Sequence, residues 1–215
     1  MKLYVYDHCP FCVRSRMIFG LKEVACEIIT LPNDDEETPT RLIGKKMLPV
    51  LVTESHEAIG ESLDIVKYID ETYDSSVLTI ADDPVIEAWM EEATTLIYPL
   101  AIPRWASSDF EEFRQDAARK YFVSKKEAFF GPFPRLLEQT ETMVTEINEK
   151  LEVLEVLLSQ QEREAGHFSF TDIRLFPLLR SLSIVKGIKW PLRVDAWRKE
   201  MAVRSLVNLN DDIAI

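Results

Sequence analysis

The chain has 215 residues, 47% hydrophobic and 29% charged, with six glycines and no compositionally biased segment, which is typical of a globular protein and excludes a disordered or collagen-like one. Its 25 basic and 37 acidic residues give a net charge of −12; because this charge would repel nucleic-acid phosphates and anionic lipids, we expect neither nucleic acid nor a membrane as a partner. The sequence shows neither a segment apolar enough to span a bilayer nor a secretory signal, so we expect a cytoplasmic protein.

The first part of the chain alternates strand and helix patterns. Alternating apolar residues predict short strands, and apolar residues spaced by three and four predict amphipathic helices. In chain order the predicted elements are a strand at 3–6, a helix at 13–21, a strand at 26–31, a helix at 40–43, strands at 49–53 and 57–59, and a helix from 60–62 to about 73. This order is βαβ, α, ββ, α.

Helical patterns replace strand patterns after a polar linker at 74–83. Helices are predicted over 85–106, 116–128 and 136–158, and from about 171 and 192, with Pro99 and Pro103 expected to kink or divide the first of them. A capping box at 169–172 is expected to serve folding. All four tryptophans lie in this part and are expected to fill the core between helices: Trp89, Trp105, Trp190 and Trp197.

A Cys-Pro-Phe-Cys motif at 9–12 stands where the first strand ends and the first helix begins. Free amides and the helix dipole favour a thiolate at this position, so Cys9 is predicted to be the acidic nucleophile. Cys12, one turn later, lies within disulfide reach and would be the resolving thiol, while Phe11 offers an apolar face beside the reactive sulfur. Two structural cysteines or half of a zinc site are alternatives, but the sequence lacks a second ligand pair with zinc spacing, so no metal is predicted.

The two neighbouring candidates His8 and Cys26 have weaker interpretations. His8 directly precedes Cys9 and could support its thiolate electrostatically, although a loop histidine is more often simply solvated. Cys26 has no partner in the sequence and is interpreted as a small hydrophobic residue in a strand.

Two further segments have both a structural and a ligand-binding interpretation. Pro49 begins a strand: a trans proline is ordinary there, whereas a cis bond would turn the Leu48 backbone towards an extended peptide, and base rates favour trans. Glu61 and Ser62 at a helix start suit a ligand carrying an α-carboxylate and an α-ammonium group. Ser62 could equally be an ordinary N-cap beside a solvated Glu61.

Taken together, these features resemble a known family. The element order, the Cys-Pro-Phe-Cys motif, Leu48-Pro49, Glu61-Ser62 and Ser169-x-x-Asp172 are similar to those of bacterial two-domain glutaredoxins, which combine glutathione-transferase architecture with glutaredoxin chemistry. Similar stretches at 6–10, 33–35, 37–41, 117–123 and 176–180 extend the resemblance over nearly the whole length. Phe11 departs from the tyrosine common in the family's Cys-Pro-Tyr-Cys motif, which removes one hydroxyl group beside Cys9.

The resemblance implies both a fold and a glutathione site. The fold is an α/β thioredoxin-like N-terminal domain (βαβ-α-ββ-α) over 1–73, a linker over 74–83, and an all-α glutathione-transferase-like C-terminal domain over 84–215. The resemblance also implies that Pro49 is cis, that the Leu48 backbone pairs with the cysteinyl part of glutathione, and that Glu61 and Ser62 bind its γ-glutamyl end.

The implied activity is that of a glutathione-dependent thiol–disulfide oxidoreductase. Its substrates would be protein–glutathione mixed disulfides and protein disulfides, its reductant glutathione, and its active form a monomer. Two other functions stay open: a glutathione transferase acting on small electrophiles, which the presence of two thiols argues against, and a non-catalytic interaction module. A Cys9 pKa near that of free cysteine, about 8.5, would favour the module.

Overall fold

The computed structural model describes residues 1–160 and 166–215. The first part forms a four-stranded mixed sheet in the order β2-β1-β3-β4. Strand β1 pairs in parallel with β2 and antiparallel with β3, which in turn pairs antiparallel with β4. The elements are β1 (Lys2–Val5), α1 (Pro10–Leu21), β2 (Glu27–Thr30), α2 (Glu37–Ile43), β3 (Val50–Val52), β4 (Ala58–Ile59) and α3 (Ser62–Thr72). The predicted order and the thioredoxin-like fold are confirmed.

The sheet and α1 share one core because their apolar residues recur with the correct period. Leu3 and Val5 alternate along β1 and are fully buried, as expected where successive side chains point to opposite faces. On α1, Val13 and Met17 are buried at a spacing of four, which places them on one face of the helix. Each such aliphatic side chain contributes roughly 1.5–3 kcal/mol on burial.

The second part is all-helical in the described residues. Its helices are α4 (Pro84–Ser107), α5 (Asp116–Phe130), α6 (Phe133–Glu138), α7 (Thr140–Ser159), α8 (Phe170–Leu182) and α9 (Leu192–Ser205), with a 3-10 turn at Glu111–Phe113 before α5 and another at Asp211–Ile213. This arrangement is the glutathione-transferase-like helical domain. No helix in the described ranges is both long and apolar enough to cross a bilayer.

Two predicted helices differ from those observed. The helix predicted over 136–158 is two helices, because the chain turns at Gln139, whose N–H donates to the Leu136 carbonyl and which flanks both α6 and α7. Pro99 and Pro103 were expected to kink or divide the first long helix; they do not divide it, since both lie inside α4, and a kink stays a prediction. Burial of the neighbouring α4 residues overrides the local cost of each proline.

Other helical-domain predictions are confirmed. The capping box is formed: the Ser169 hydroxyl accepts from the Asp172 N–H at 3.1 Å, and the Asp172 carboxylate accepts from the Ser169 N–H at 2.9 Å. Trp89, Trp105 and Trp197 are buried as predicted. Trp190 is only half-buried and lies 4.0 Å under the guanidinium of Arg198.

Helix α1 joins the two parts. It packs against α3 on one side and against α8 and α9 on the other. The approach to α9 is close enough that a β-carbon on Gly20 would overlap the backbone of Ser205, whose Cα would be 2.8 Å away. The division at 74–83 stays a prediction; α3 ends at Thr72 and α4 begins at Pro84.

Candidate functional site

The N-terminus of α1 places Cys9 and Cys12 side by side. Cys9 occupies the N-cap position with an extended backbone, and Pro10 is the first helical residue, where a missing N–H costs nothing and φ is already suitable. The Cys9 carbonyl accepts from the Val13 N–H at 3.0 Å, the first hydrogen bond of the helix. Both thiols are free, with Cys9 half-buried and Cys12 fully buried.

Cys9 is the acidic thiol. A hydrogen bond from the Cys12 thiol lowers the pKa of Cys9 to about 6, against the opposing effect of burial. The charge of His8 and hydrogen bonds from the backbone N–H groups of Cys12 and Phe11 lower this pKa further. The amides at the head of α1 therefore act on Cys9 as the sequence predicted.

Cys12 is the protonated partner. Burial raises its pKa well above the ordinary value, and so do the hydrogen bond to Cys9 and the charge of Cys9. The backbone N–H of Tyr6 donates to the Cys12 sulfur at 3.3 Å and opposes these effects only in part. With one ionised and one protonated sulfur, the pair matches the nucleophile and resolving thiol of a disulfide exchange.

His8 is not solvated, so the commoner interpretation of a loop histidine is wrong here. The residue is 5% exposed, and its ring Nδ1 lies 2.6 Å from Oε1 of Glu112. The same oxygen accepts from the His8 backbone N–H at 3.0 Å. His8 is buried against Glu112, which lies 104 positions away in the chain. No pattern in the sequence around His8 predicts this contact.

The Leu48–Pro49 peptide is cis, as the resemblance implies and against the base rate. Pro49 directly precedes β3, which pairs with β1, the strand that leads to Cys9. Phe11 is half exposed at 47%, and the Arg14 guanidinium lies 4.6 Å above its ring.

Glu61 and Ser62 lie at the start of α3. Ser62 is the first helical residue and Glu61 the N-cap, and the Glu61 side chain makes no capping hydrogen bond, so the interpretation of Ser62 as the N-cap is wrong. Ser62 is buried, and its carbonyl accepts from the Ser15 hydroxyl of α1 at 3.3 Å. The exposed Glu61 carboxylate lies 3.0 Å from Nζ of Lys45.

A cavity of about 250 Å³ lies between the two parts of the chain. Arg14 of α1, Tyr98 of α4 and Arg174 of α8 line its polar wall, while Met90 and Leu178 supply apolar surface. Cys9 and Arg14 both act electrostatically on Tyr98. The residues that line the cavity do not include Cys9 or Cys12.

Sequence reasoning missed the residues that join the helical part to the dithiol loop. Arg180 of α8 donates through its guanidinium to the Asp7 carbonyl at 2.7 Å and to the Asp7 carboxylate at 3.1 Å. The Asp7 carboxylate also forms a salt bridge with Arg16. Asp7 and Arg180 lie in the stretches 6–10 and 176–180 that carry the family resemblance, but they are 173 positions apart and no sequence pattern pairs them.

Among the described residues, no group of three or more His, Cys, Asp or Glu side chains could hold a metal ion. Cys26 lies one residue before β2 as a free thiol, and burial raises its pKa to about 11. The structure therefore gives it no partner near the dithiol.

Comparison with known proteins gives consistent matches over both parts. Residues 85–214 match the family described as "Glutaredoxin 2, C terminal domain", and residues 3–77 match "Glutathione S-transferase, N-terminal domain". The chain is 45% identical to glutaredoxin 2 of Escherichia coli strain K12 over 215 residues, covering all of both chains.

Solved structures agree with the sequence matches. The structure of glutaredoxin 2 from Salmonella typhimurium in complex with glutathione is 45% identical, with a TM-score of 0.96, and the match covers 100% of this chain and 98% of that one. A Tau class glutathione S-transferase from mango is 20% identical with a TM-score of 0.59, covering 99% and 94% of the two chains, which shows a shared fold.

Proposed function

Because the chain belongs to the glutaredoxin 2 family of glutathione-disulfide oxidoreductases, we propose that it reduces protein–glutathione mixed disulfides and protein disulfides through Cys9 and Cys12. The observation that carries the proposal is the opposite ionisation of the two thiols, with the Cys9 pKa lowered to about 6 and the Cys12 pKa raised. At neutral pH the half-buried Cys9 sulfur is a thiolate and the fully buried Cys12 sulfur keeps its proton.

In the first reaction the Cys9 thiolate attacks the glutathione sulfur of a mixed disulfide. The bond between the glutathione and protein sulfurs breaks, a Cys9–glutathione disulfide forms, and the target leaves as a thiolate that takes a proton from water. The thiolate of a second glutathione then attacks the glutathione sulfur on Cys9, which releases glutathione disulfide and restores the Cys9 thiolate. The sulfur of the incoming glutathione is oxidised and the target sulfur is reduced, while the first glutathione sulfur stays in a disulfide throughout.

With a protein disulfide, Cys9 forms a mixed disulfide with the target and Cys12 resolves it. Once the Cys9 sulfur is covalently bound it carries no negative charge, so two of the causes that raise the Cys12 pKa are lost. Cys12 then loses its proton more readily, attacks Cys9 and leaves a Cys9–Cys12 disulfide. Two glutathione molecules reduce that disulfide and become glutathione disulfide.

We place glutathione across the start of β3 and the start of α3. The Leu48 backbone, next to cis Pro49, would pair with the cysteinyl part, and Phe11 would flank its sulfur. The γ-glutamyl carboxylate would accept from the N-terminal amides of α3, which the Glu61 side chain leaves uncapped, while Glu61 and Ser62 would bind its ammonium group. The glutathione complex of the Salmonella relative supports a site for this ligand. The working form is a monomer in the cytoplasm, where glutathione is abundant and reducing.

Single-cysteine variants test this proposal. Cys9→Ser should abolish turnover with every disulfide substrate, because the nucleophile is lost. Cys12→Ser should retain reduction of a glutathionylated protein, which needs one thiol, and lose reduction of a protein disulfide, which needs two. Retained activity in Cys9→Ser would overturn the assignment.

A second candidate function is conjugation of glutathione to a small electrophile. The cavity of about 250 Å³ between Arg14 of α1 and the helices α4 and α8 favours it, since a transferase needs a pocket for the second substrate. Parallel assays with an aryl halide and with a glutathionylated protein separate the two functions. Conjugation that survives in Cys9→Ser, without any disulfide reduction, would favour the transferase.

A further inference from the structure

The buried pair of His8 and Glu112 has no role in the chemistry described so far. His8 lies in the loop between β1 and α1, directly before Cys9, and Glu112 lies in the 3-10 turn before α5. Glu112 is 1% exposed and His8 5% exposed. A carboxylate this deeply buried is costly unless a positive or hydrogen-bonding partner compensates for the lost water.

His8 supplies that compensation. Oε1 of Glu112 lies 2.6 Å from His8 Nδ1 and 3.0 Å from the His8 backbone nitrogen, whereas Oε2 is buried without a hydrogen-bond partner. Throughout residues 1–160 and 166–215, the salt bridge of Glu112 is to His8 and to no lysine or arginine. The side chain of Glu112 is therefore directed at one histidine.

The direction of the hydrogen bond fixes the tautomer of His8. Although burial raises the pKa of Glu112, contacts with His8 outweigh it and hold this pKa below its ordinary value, so at neutral pH the carboxylate is ionised and can only accept. His8 must then carry a proton on Nδ1 and donate it. The positive charge of the imidazolium form of His8 is one of the causes of the low Cys9 pKa.

Aromatic rings from the helical part surround His8. The ring centroids of Trp105, Phe113 and Phe122 lie 5.0, 5.1 and 5.0 Å from that of His8. Aromatic faces attract cations, and the packing holds the imidazole in one orientation. The three aromatic residues and Glu112 all lie after residue 100, in the helical part, whereas His8 lies in the loop between β1 and α1.

Other charged and titratable groups near the pair are already engaged. Asp7 is bound by Arg16 and Arg180, and Arg180 also lies near Glu112. The remaining groups near the pair are Tyr6, which directly follows β1, the thiols of Cys9 and Cys12, and Arg119 and Lys126 of α5, which lie over the rings of Phe113 and Phe122.

We propose that Glu112 is a positioning residue for the dithiol: its carboxylate accepts from Nδ1 of the His8 imidazolium and so holds this cation next to the Cys9 thiolate. The helical part thereby contributes to the acidity of a nucleophile that lies in the first part. This inference rests on the proposed function, since Cys9 is the nucleophile there. Its test measures ionisation without turnover, so a failed titration and a failed activity assay are distinguishable.

The test uses two substitutions of Glu112 that separate the effect of its charge from the effect of its shape on the ionisation of Cys9. Glu112→Gln keeps the shape and loses the charge, and Glu112→Asp keeps the charge and changes the shape. The midpoint of Cys9 thiolate formation, followed by ultraviolet absorbance and by the rate of iodoacetamide alkylation against pH, should rise by roughly one pH unit in Glu112→Gln, the size of a nearby charge effect. Glu112→Asp should stay near the unaltered protein, as should Glu111→Gln, the same change at the adjacent exposed residue.

A double-variant cycle shows whether the effect passes through His8. In a His8→Asn background, Glu112→Gln should produce no further shift of the Cys9 midpoint; an undiminished shift would overturn the positioning role. An unchanged midpoint in Glu112→Gln, or a shift in Glu112→Asp with none in Glu112→Gln, would also overturn it. If the variants do not fold, nitrogen NMR of His8 in the unaltered protein decides: a neutral ring at the pH where Cys9 is ionised contradicts the proposal, and a ring protonated on both nitrogens supports it.

Discussion

Removing the Cys12 thiol should raise the pKa of Cys9. The hydrogen bond from Cys12 is the largest cause of the Cys9 pKa of about 6. A hydrogen bond to a charged group contributes about 1.5–3 kcal/mol, and one pKa unit corresponds to about 1.36 kcal/mol, so Cys12→Ala should raise the Cys9 pKa by about one to two units. The ionised fraction of Cys9 at pH 7 would fall from about nine-tenths to between a half and a tenth.

The assay is a pH titration of the reduced protein, read by thiolate absorbance and by the rate of alkylation with iodoacetamide. Cys26 does not interfere, since burial raises its pKa to about 11; Cys26→Ala in every sample removes it altogether. Cys12→Ser is the matched control, because a hydroxyl group of similar size can still donate to the Cys9 thiolate. Its midpoint should lie between those of the unaltered protein and Cys12→Ala.

The two substitutions together test the reasoning. If the hydrogen bond from Cys12 lowers the pKa of Cys9, this pKa must rise more in Cys12→Ala than in Cys12→Ser. Equal midpoints in the two variants would show that the thiol proton contributes nothing. A Cys9 midpoint that does not move in Cys12→Ala would assign the low pKa to the helix amides and His8 instead.

Three substitutions test how the two parts are held together and capped. Gly20→Ala should destabilise the protein by about 1–3 kcal/mol or more, the cost of overpacking, because the new methyl group would overlap the Ser205 backbone; urea unfolding measures this. Arg180→Met should cost about 1.5–3 kcal/mol, the contribution of hydrogen bonds to a charged group, since the Asp7 and Asn208 carbonyls lose their guanidinium donor while the partly exposed Asp7 carboxylate keeps Arg16; the same denaturation experiment measures it. Ser169→Ala should cost about 0.5–2 kcal/mol through loss of the N-cap, measured by the thermal unfolding midpoint.

Control substitutions at exposed sites show how much the free energy of unfolding changes when no close packing, buried contact or helix cap is lost. Ser124→Ala changes an exposed position inside α5 and should shift stability by less than about 0.5 kcal/mol. Arg193→Met removes an exposed arginine paired with Glu155 and should cost at most about 1 kcal/mol. A stabilised Gly20→Ala, as helix propensity alone would give, would contradict the close approach of α1 to α9. Losses in Arg180→Met or Ser169→Ala no larger than in their controls would contradict the roles assigned to these two residues.

The sequence alone determined the features that depend on neighbours along the chain. The Cys9–Cys12 motif at a strand–helix junction required only local geometry, since helix amides reach the residue at the N-cap. The capping box at Ser169 is likewise a contact over three positions. The order of strands and helices followed from apolar periodicity, which is also local, and the resemblance to a family extended it to the fold and the cis Leu48–Pro49 peptide.

Local patterns failed where packing competed with them. Periodicity continued through Gln139, but the chain turns there into a second helix. Pro99 and Pro103 are helix breakers by propensity, yet α4 continues through both, because its buried residues pack against α7 and α8.

The tertiary structure decided the surroundings of the dithiol. His8 looked like a solvated loop residue until the fold brought Glu112, 104 positions away, to within hydrogen-bond distance. Arg180 reaches Asp7 across 173 positions. A sequence pattern reports contacts within a helical turn or along a strand, whereas these pairs form only when the two parts of the chain pack against each other. The nucleophile was therefore determined by the sequence, and the charges that surround it by the packing of the two parts.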